Sequence, residues 1–86
     1  MTYTVIIKKS AQKQIAAIPF PYIAAIEKAV LALADNPRPT GCKKLTGSKN
    51  IFRVRVSTYR IVYEVQDKMI TVFVFDVDHR KQVYRS

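Results

Sequence analysis

The residues best suited to chemistry in this chain are arginines. Arg60 and Arg80 bracket the most apolar stretch of the sequence, YRIVYEVQDKMITVFVFDVDHRKQVYR over residues 59–85, with Tyr59 beside the first and Tyr84 just beyond the second. Arg53 and Arg55 alternate with apolar residues in the preceding segment, IFRVRVS. A guanidinium presents a planar fork of donors that matches two oxygens of a phosphate, and it keeps its charge at any ordinary pH. Gathered in one place, such groups would bind a phosphodiester. His79 is the one side chain of ordinary acid–base type, although a lone histidine in a turn is more often simply exposed. No Glu/His pair of the standard ribonuclease kind is visible.

Whether the arginines converge depends on the strands that carry them. IFRVRVS, YRIVYEV and MITVFVFDV are separated by Ser57-Thr58 and Asp67-Lys68, links short enough for antiparallel hairpins. A two-residue turn at Ser57-Thr58 pairs Val56 with Tyr59 and Arg55 with Arg60. Phe52, Val54, Val56, Tyr59, Ile61, Tyr63 and Val65 then share a core face, and Arg53, Arg55 and Arg60 the opposite one. With Asp67-Lys68 as the second turn, Ile70, Val72 and Val74 join the core, while Phe73, Phe75 and Glu64 lie with the arginines. Neither turn carries the Asn-Gly signature that would pin the register. Like charges directly opposite each other are unfavourable by roughly 0.2–1 kcal/mol per pair, so such a cluster is best understood as a place for an anion.

Upstream, TYTVIIKK reads as a strand with Tyr3, Val5 and Ile7 on one face. Ser10 is placed to cap a helix carrying Ala11, Ile15 and Ile18, which PFP then stops. YIAAIEKAVLALADNP follows as an alanine-rich helix with Ile23, Ile26, Val30 and Leu33 on one stripe, ending at Asn36-Pro37. A polar loop, RPTGCKKLTGSKN, holds Lys43, Lys44 and Lys49, with Leu45 as an anchor into the core. The expected class is α+β: an N-terminal strand, a helical hairpin and an antiparallel three-stranded meander, the helices packed on one face of a single sheet. Residues 1–86 are expected to form one domain.

Composition narrows the partners. Lys and Arg outnumber Asp and Glu by 15 to 6, a net charge of +9. The excess is concentrated after residue 40. Such a balance attracts polyanions, whether nucleic acid, an anionic membrane or an acidic protein. A membrane surface fits least, because the long helix has almost no basic face. One cysteine, Cys42, and one histidine exclude an internal disulfide and a Cys/His zinc set, and no cofactor is expected. Without a long apolar span or a signal-peptide pattern, the default location is cytoplasmic.

From KKLTG through FRVRVSTYRIVYEV and ITVFVFDVDHRKQVYR, the chain resembles the RelE branch of the RelE/ParE toxin superfamily, the toxins of type II toxin–antitoxin pairs. The likeness is good in order and spacing over residues 43–85. The resemblance implies a ribosome-dependent endoribonuclease that cuts messenger RNA in the ribosomal A site through attack of the 2′-hydroxyl on the adjacent phosphate. It also implies a cognate antitoxin that neutralises the toxin, and contact with operator DNA only through the toxin–antitoxin complex.

Residue by residue, Arg60 matches the family's arginine on the scissile phosphate, and Arg80 the second catalytic arginine. Tyr84 matches the tyrosine that orients the reacting nucleotide. Arg53 and Arg55 stand where relatives often carry lysines, a departure that keeps phosphate binding but leaves the general base unidentified, since arginine does not give up its proton. Lys43, Lys44 and Lys49 would add RNA contacts, and some relatives have a histidine at the place of His79. Two alternatives stay open: a ParE-like gyrase inhibitor, and an inactive homologue serving as a binding module or operon co-repressor. A plain RNA-binding domain is less well supported, for want of a recognisable RNA-recognition or KH signature.

Overall fold

A computed structural model of the chain describes residues 2–45 and 47–79. Its elements are β1 (Thr4–Ile7), α1 (Lys9–Ala16), α2 (Phe20–Ala32), β2 (Lys43–Lys44), β3 (Ile51–Val56), β4 (Tyr59–Gln66) and β5 (Thr71–His79). The strands form one mixed sheet in the order β1-β5-β4-β3-β2, with β1 parallel to β5 and the other pairings antiparallel. The α+β architecture expected from the sequence is therefore present. The meander is extended on one side by β1 and on the other by β2, a short strand cut from the segment expected to be loop.

Both helices pack on one face. Ala11 and Ile18 from the first helical segment and Ile26, Val30 and Leu33 from the second close over Phe52, Ile61, Tyr63, Val65, Val72, Val74 and Val77. The apolar alternation of the strands dictates that face, since successive side chains point to opposite sides. Tyr63, fully buried, donates its hydroxyl to the Pro37 carbonyl at 2.8 Å. Burial holds its phenol protonated far above the usual tyrosine range.

The helix ends depart from expectation. Ser10 is not a cap: α1 begins at Lys9 after an extended Lys8 whose N–H is bonded to the Val74 carbonyl, so the ladder runs directly into the helix. Instead the Ser10 hydroxyl donates to the Phe75 carbonyl. The α2 helix begins at Phe20, with Pro21 in its first turn where a missing N–H is harmless, and ends at Ala32, ahead of the boundary expected at Asn36.

Two features of β5 decide which side chains meet. The β4–β5 connection is a 3-10 turn over Asp67–Met69 followed by Ile70 at φ +48, rather than a two-residue Asp67-Lys68 turn, and the first ladder pair is Gln66 with Thr71. Ile70 thus leaves the core face, because a left-handed residue cannot continue a strand. The ladder then slips between Val62 and Tyr63: Tyr63 faces Val74 whereas Val62 faces Asp76, leaving Phe75 as an extra residue in a bulge. Beyond it, Val77 rather than Asp76 enters the core.

Candidate functional site

The β3–β4 hairpin turns at Ser57-Thr58, and its register matches the sequence reading: Val56 faces Tyr59, Arg55 faces Arg60, and Arg53 faces Val62. β2 adds a third row, with Lys43 opposite Arg53 and Lys44 opposite Phe52. Alternation therefore gathers Lys43, Arg53, Arg55 and Arg60 on the sheet face away from the helices. A concavity of about 320 Å³ opens there, lined by Thr40, Gly41, Lys43, Arg53, Val54 and Arg55. Lys44 falls on the other side of the strand, and Lys49 lies in the loop before β3, exposed and outside the concavity.

Arg60 is the most constrained of these cations. Its cross-strand neighbours are Arg55 on one side and Asp78 on the other. Asp78 turns one carboxylate oxygen back to accept the His79 N–H at 2.8 Å, and among the described residues it forms no ion pair with Arg60. The Nε of Arg60 is buried without a hydrogen-bond partner. A buried donor left unsatisfied costs about 1–3 kcal/mol, so this Nε is a donor open to an acceptor. Glu64, expected on the arginine face, accepts from the Gln66 amide at 2.6 Å.

His79 does not join the arginines. It ends β5, rather than sitting in a turn, and pairs with Tyr59 across the ladder; the bulge has reversed the alternation, so its ring meets Tyr59 edge-on at 5.3 Å. Arg80 and Tyr84, expected on the second flank of the phosphate site, lie outside the described residues.

Three functional elements were missed in the sequence. The bulge carries a signal, because the apolar spacing along TVFVFDVDH shifts from Val72 and Val74 to Val77. Gln14 carries none: its side chain accepts the Val77 N–H and donates to Asp76, both at 2.8 Å, filling the β5 edge where β1 has ended. The third is a clamp remote from the arginines. Arg38 pairs with Asp67 at 2.8 Å, and the Tyr3 hydroxyl donates to the same carboxylate at 2.6 Å. These two donors hold the Asp67 carboxyl below its ordinary range.

With that geometry in place, known proteins resolve the family. A model described as "ParE toxin of type II toxin-antitoxin system, parDE" matches residues 5–84. Toxin RelG of Mycobacterium tuberculosis is 33% identical over 86 residues, covering 99% of each chain. The chain belongs to the RelE branch of the RelE/ParE toxin superfamily. It is a toxin of the type II toxin–antitoxin class. Among solved structures, the archaeal RelE–RelB complex of Pyrococcus horikoshii OT3 matches with a TM-score of 0.82 at 26% identity, over 93% of this chain and 97% of that one. The toxin–antitoxin complex RelBE2 of Mycobacterium tuberculosis matches with a TM-score of 0.81 at 29% identity, over 93% and 100%. The isolated RelE toxin of E. coli matches with a TM-score of 0.79 at 27% identity, over 95% and 90%. Among the described residues of this RelE-branch chain, no helix is long and apolar enough to cross a membrane, and no group of His, Cys, Asp and Glu could hold a metal ion.

Proposed function

We propose that this toxin is a ribosome-dependent endoribonuclease that cuts messenger RNA in the A site. The observation that carries the reading is Arg60, a cation with a buried unpartnered Nε, set directly opposite Arg55 beside a basic concavity. The 2′-hydroxyl of one nucleotide attacks the adjacent phosphorus, its proton passing to a base, while the bond to the 5′-oxygen breaks and that oxygen takes up a proton. The products are a 2′,3′-cyclic phosphate end and a 5′-hydroxyl end. Arg60 stabilises the extra negative charge of the pentacoordinate phosphorane, where preorganised donors act most strongly. Lys43, Arg53 and Arg55 hold neighbouring phosphates. Arg80 supplies further charge stabilisation, since a guanidinium with a pKa above about 12 is a poor proton donor, and Tyr84 orients the reacting nucleotide. Acting there places the protein in the cytoplasm, on translating ribosomes.

A cognate antitoxin is the second partner in this reading. Structural relatives include RelE–RelB complexes, and a surface with net charge +9 is complementary to a segment carrying acidic and apolar residues. Contact with operator DNA runs through that complex. The match to a ParE-type model favours one rival, poisoning of DNA gyrase.

The test adds the protein to a translation extract and maps messenger ends by primer extension. Cuts within translated codons that vanish in both Arg60→Ala and Arg80→Ala support the nuclease. Gyrase–DNA adducts without RNA cuts would replace it with the rival. Neither product would leave a binding module.

A further inference from the structure

The sheet has a second concave feature at the same end as Arg60, on the side where the helices pack. It is a cleft of about 280 Å³ lined by Gln14, Ala17, Ile18, Tyr59, Val77, Asp78 and His79. Tyr59 and His79 put two rings in its lining, and Tyr22 extends them just outside it. Tyr59 meets His79 edge-on at 5.3 Å and Tyr22 at 5.8 Å with the planes tilted by 49°, so three aromatic side chains from α2, β4 and β5 form a continuous row. Tyr22, at 41% exposure, keeps much of its surface in water. Tyr59 and His79 are the final described pair of the β4–β5 ladder, and the next pair inward is Arg60 with Asp78.

We infer that this cleft is a nucleobase-binding site for single-stranded RNA, in which Tyr22, Tyr59 and His79 contact a base while the strand crosses the rim of the sheet towards Arg60. The inference deepens the nuclease reading and rests on it for the identity of the polymer. Three features favour a base over a phosphate. The cleft presents π-faces and edges, which every base can stack upon. Among the described residues, its lining holds no lysine or arginine that would attract a phosphate. The cations that suit phosphate lie on the opposite face of the same strands, and adjacent residues of a strand point to opposite sides. A nucleotide, with its anionic and aromatic parts separated, matches that division. The bulge at Phe75 creates it, because without the extra residue His79 would fall on the face of Arg60.

The experiment uses the purified full chain and small probes that do not depend on cleavage. His79 is the single histidine, so its imidazole proton resonances identify themselves by NMR. Titration with adenosine is expected to move those resonances and the ring signals of Tyr22 and Tyr59, whereas ribose 5-phosphate leaves them in place. Tyr22→Ala, an exposed position, is expected to raise the adenosine midpoint about 5-fold or more, the loss of one base–aromatic stack. Tyr22→Phe restores binding. An imidazole that ignores adenosine, or responds equally to ribose 5-phosphate, overturns the inference; so does an unchanged midpoint in Tyr22→Ala. If messenger cleavage is absent but adenosine binds as described, the nuclease reading fails and the base site stands.

Discussion

Arg55 and Arg60 face each other directly across the β3–β4 ladder, and the Nε of Arg60 is buried with no partner. Two like charges in register and one orphaned donor are both destabilising. Replacing Arg60 by Met keeps most of the stem's packing and removes both penalties. Arg60→Met is therefore expected to raise stability by about 1–2 kcal/mol. For a chain of this size that is a rise of roughly 4–16 °C in melting temperature. The same variant is expected to abolish messenger cleavage. Calorimetry and primer extension on one preparation check both halves; a melting temperature that falls would show that Arg60 is satisfied within the fold.

The short β2 strand separates two neighbouring lysines. Lys43, opposite Arg53, lines the basic concavity, whereas Lys44, opposite Phe52, does not. Lys43→Ala is expected to weaken binding of a single-stranded RNA and reduce the slope of log affinity against log salt by about 0.7, the value for one lost phosphate contact. Lys44→Ala and Lys49→Ala are expected to leave that slope nearly unchanged. Filter binding over a salt series distinguishes them, and equal effects from all three would argue for a diffuse surface instead of a site.

Much of this site was legible in the sequence because strand parity is robust. The real β4–β5 connection is longer than the expected Asp67-Lys68 turn, and Gln66 pairs with Thr71 rather than Met69. The shift is two residues, so Val72 and Val74 still face the core and Phe73 still does not. The bulge is different: one extra residue reverses parity, which moved His79 away from the arginines. Its trace, the widened spacing from Val74 to Val77, was present but competed with a simple alternating reading. The role of Gln14 was not legible, because a single polar residue on a helix carries no mark of the strand edge it will meet. The β2 strand was hidden for a similar reason: two lysines in a loop of Gly, Pro and Thr have no apolar pattern from which to infer pairing.

The clamp of Tyr3, Asp67 and Arg38 ties the start of β1 to the β4–β5 turn and to the segment after α2. Arg38 and Tyr3 lower the Asp67 pKa in the folded state. A depressed carboxyl pKa contributes stability above the unfolded value near 4, and that contribution is lost as pH falls through the folded value. The native chain is thus expected to lose stability on acidification below about pH 4. Asp67→Asn should be less stable at neutral pH and show a flatter acid limb. Urea melts from pH 7 to pH 2 measure this, and parallel curves for the two proteins would mean that the clamp contributes nothing in solution.

Gln14 links the helices to the part of the sheet that carries the proposed sites. Where β1 stops at Ile7, the Val77 N–H on the freed edge of β5 is taken by the Gln14 side-chain oxygen, and the amide nitrogen holds Asp76. Gln14→Leu removes both bonds while preserving bulk, leaving the backbone donor of a residue that is 2% exposed without a partner. The expected cost is about 1–3 kcal/mol. The damage should be local as well as global, because Asp76 and Val77 follow the bulge directly and lead into Asp78 and His79. Hydrogen exchange at Val77 is expected to accelerate more than at Val65, which lies on the other side of the bulge and whose N–H donates to the Asn50 carbonyl. A uniform acceleration at both amides would indicate simple global destabilisation, and an unchanged rate at Val77 would show that another acceptor replaces Gln14.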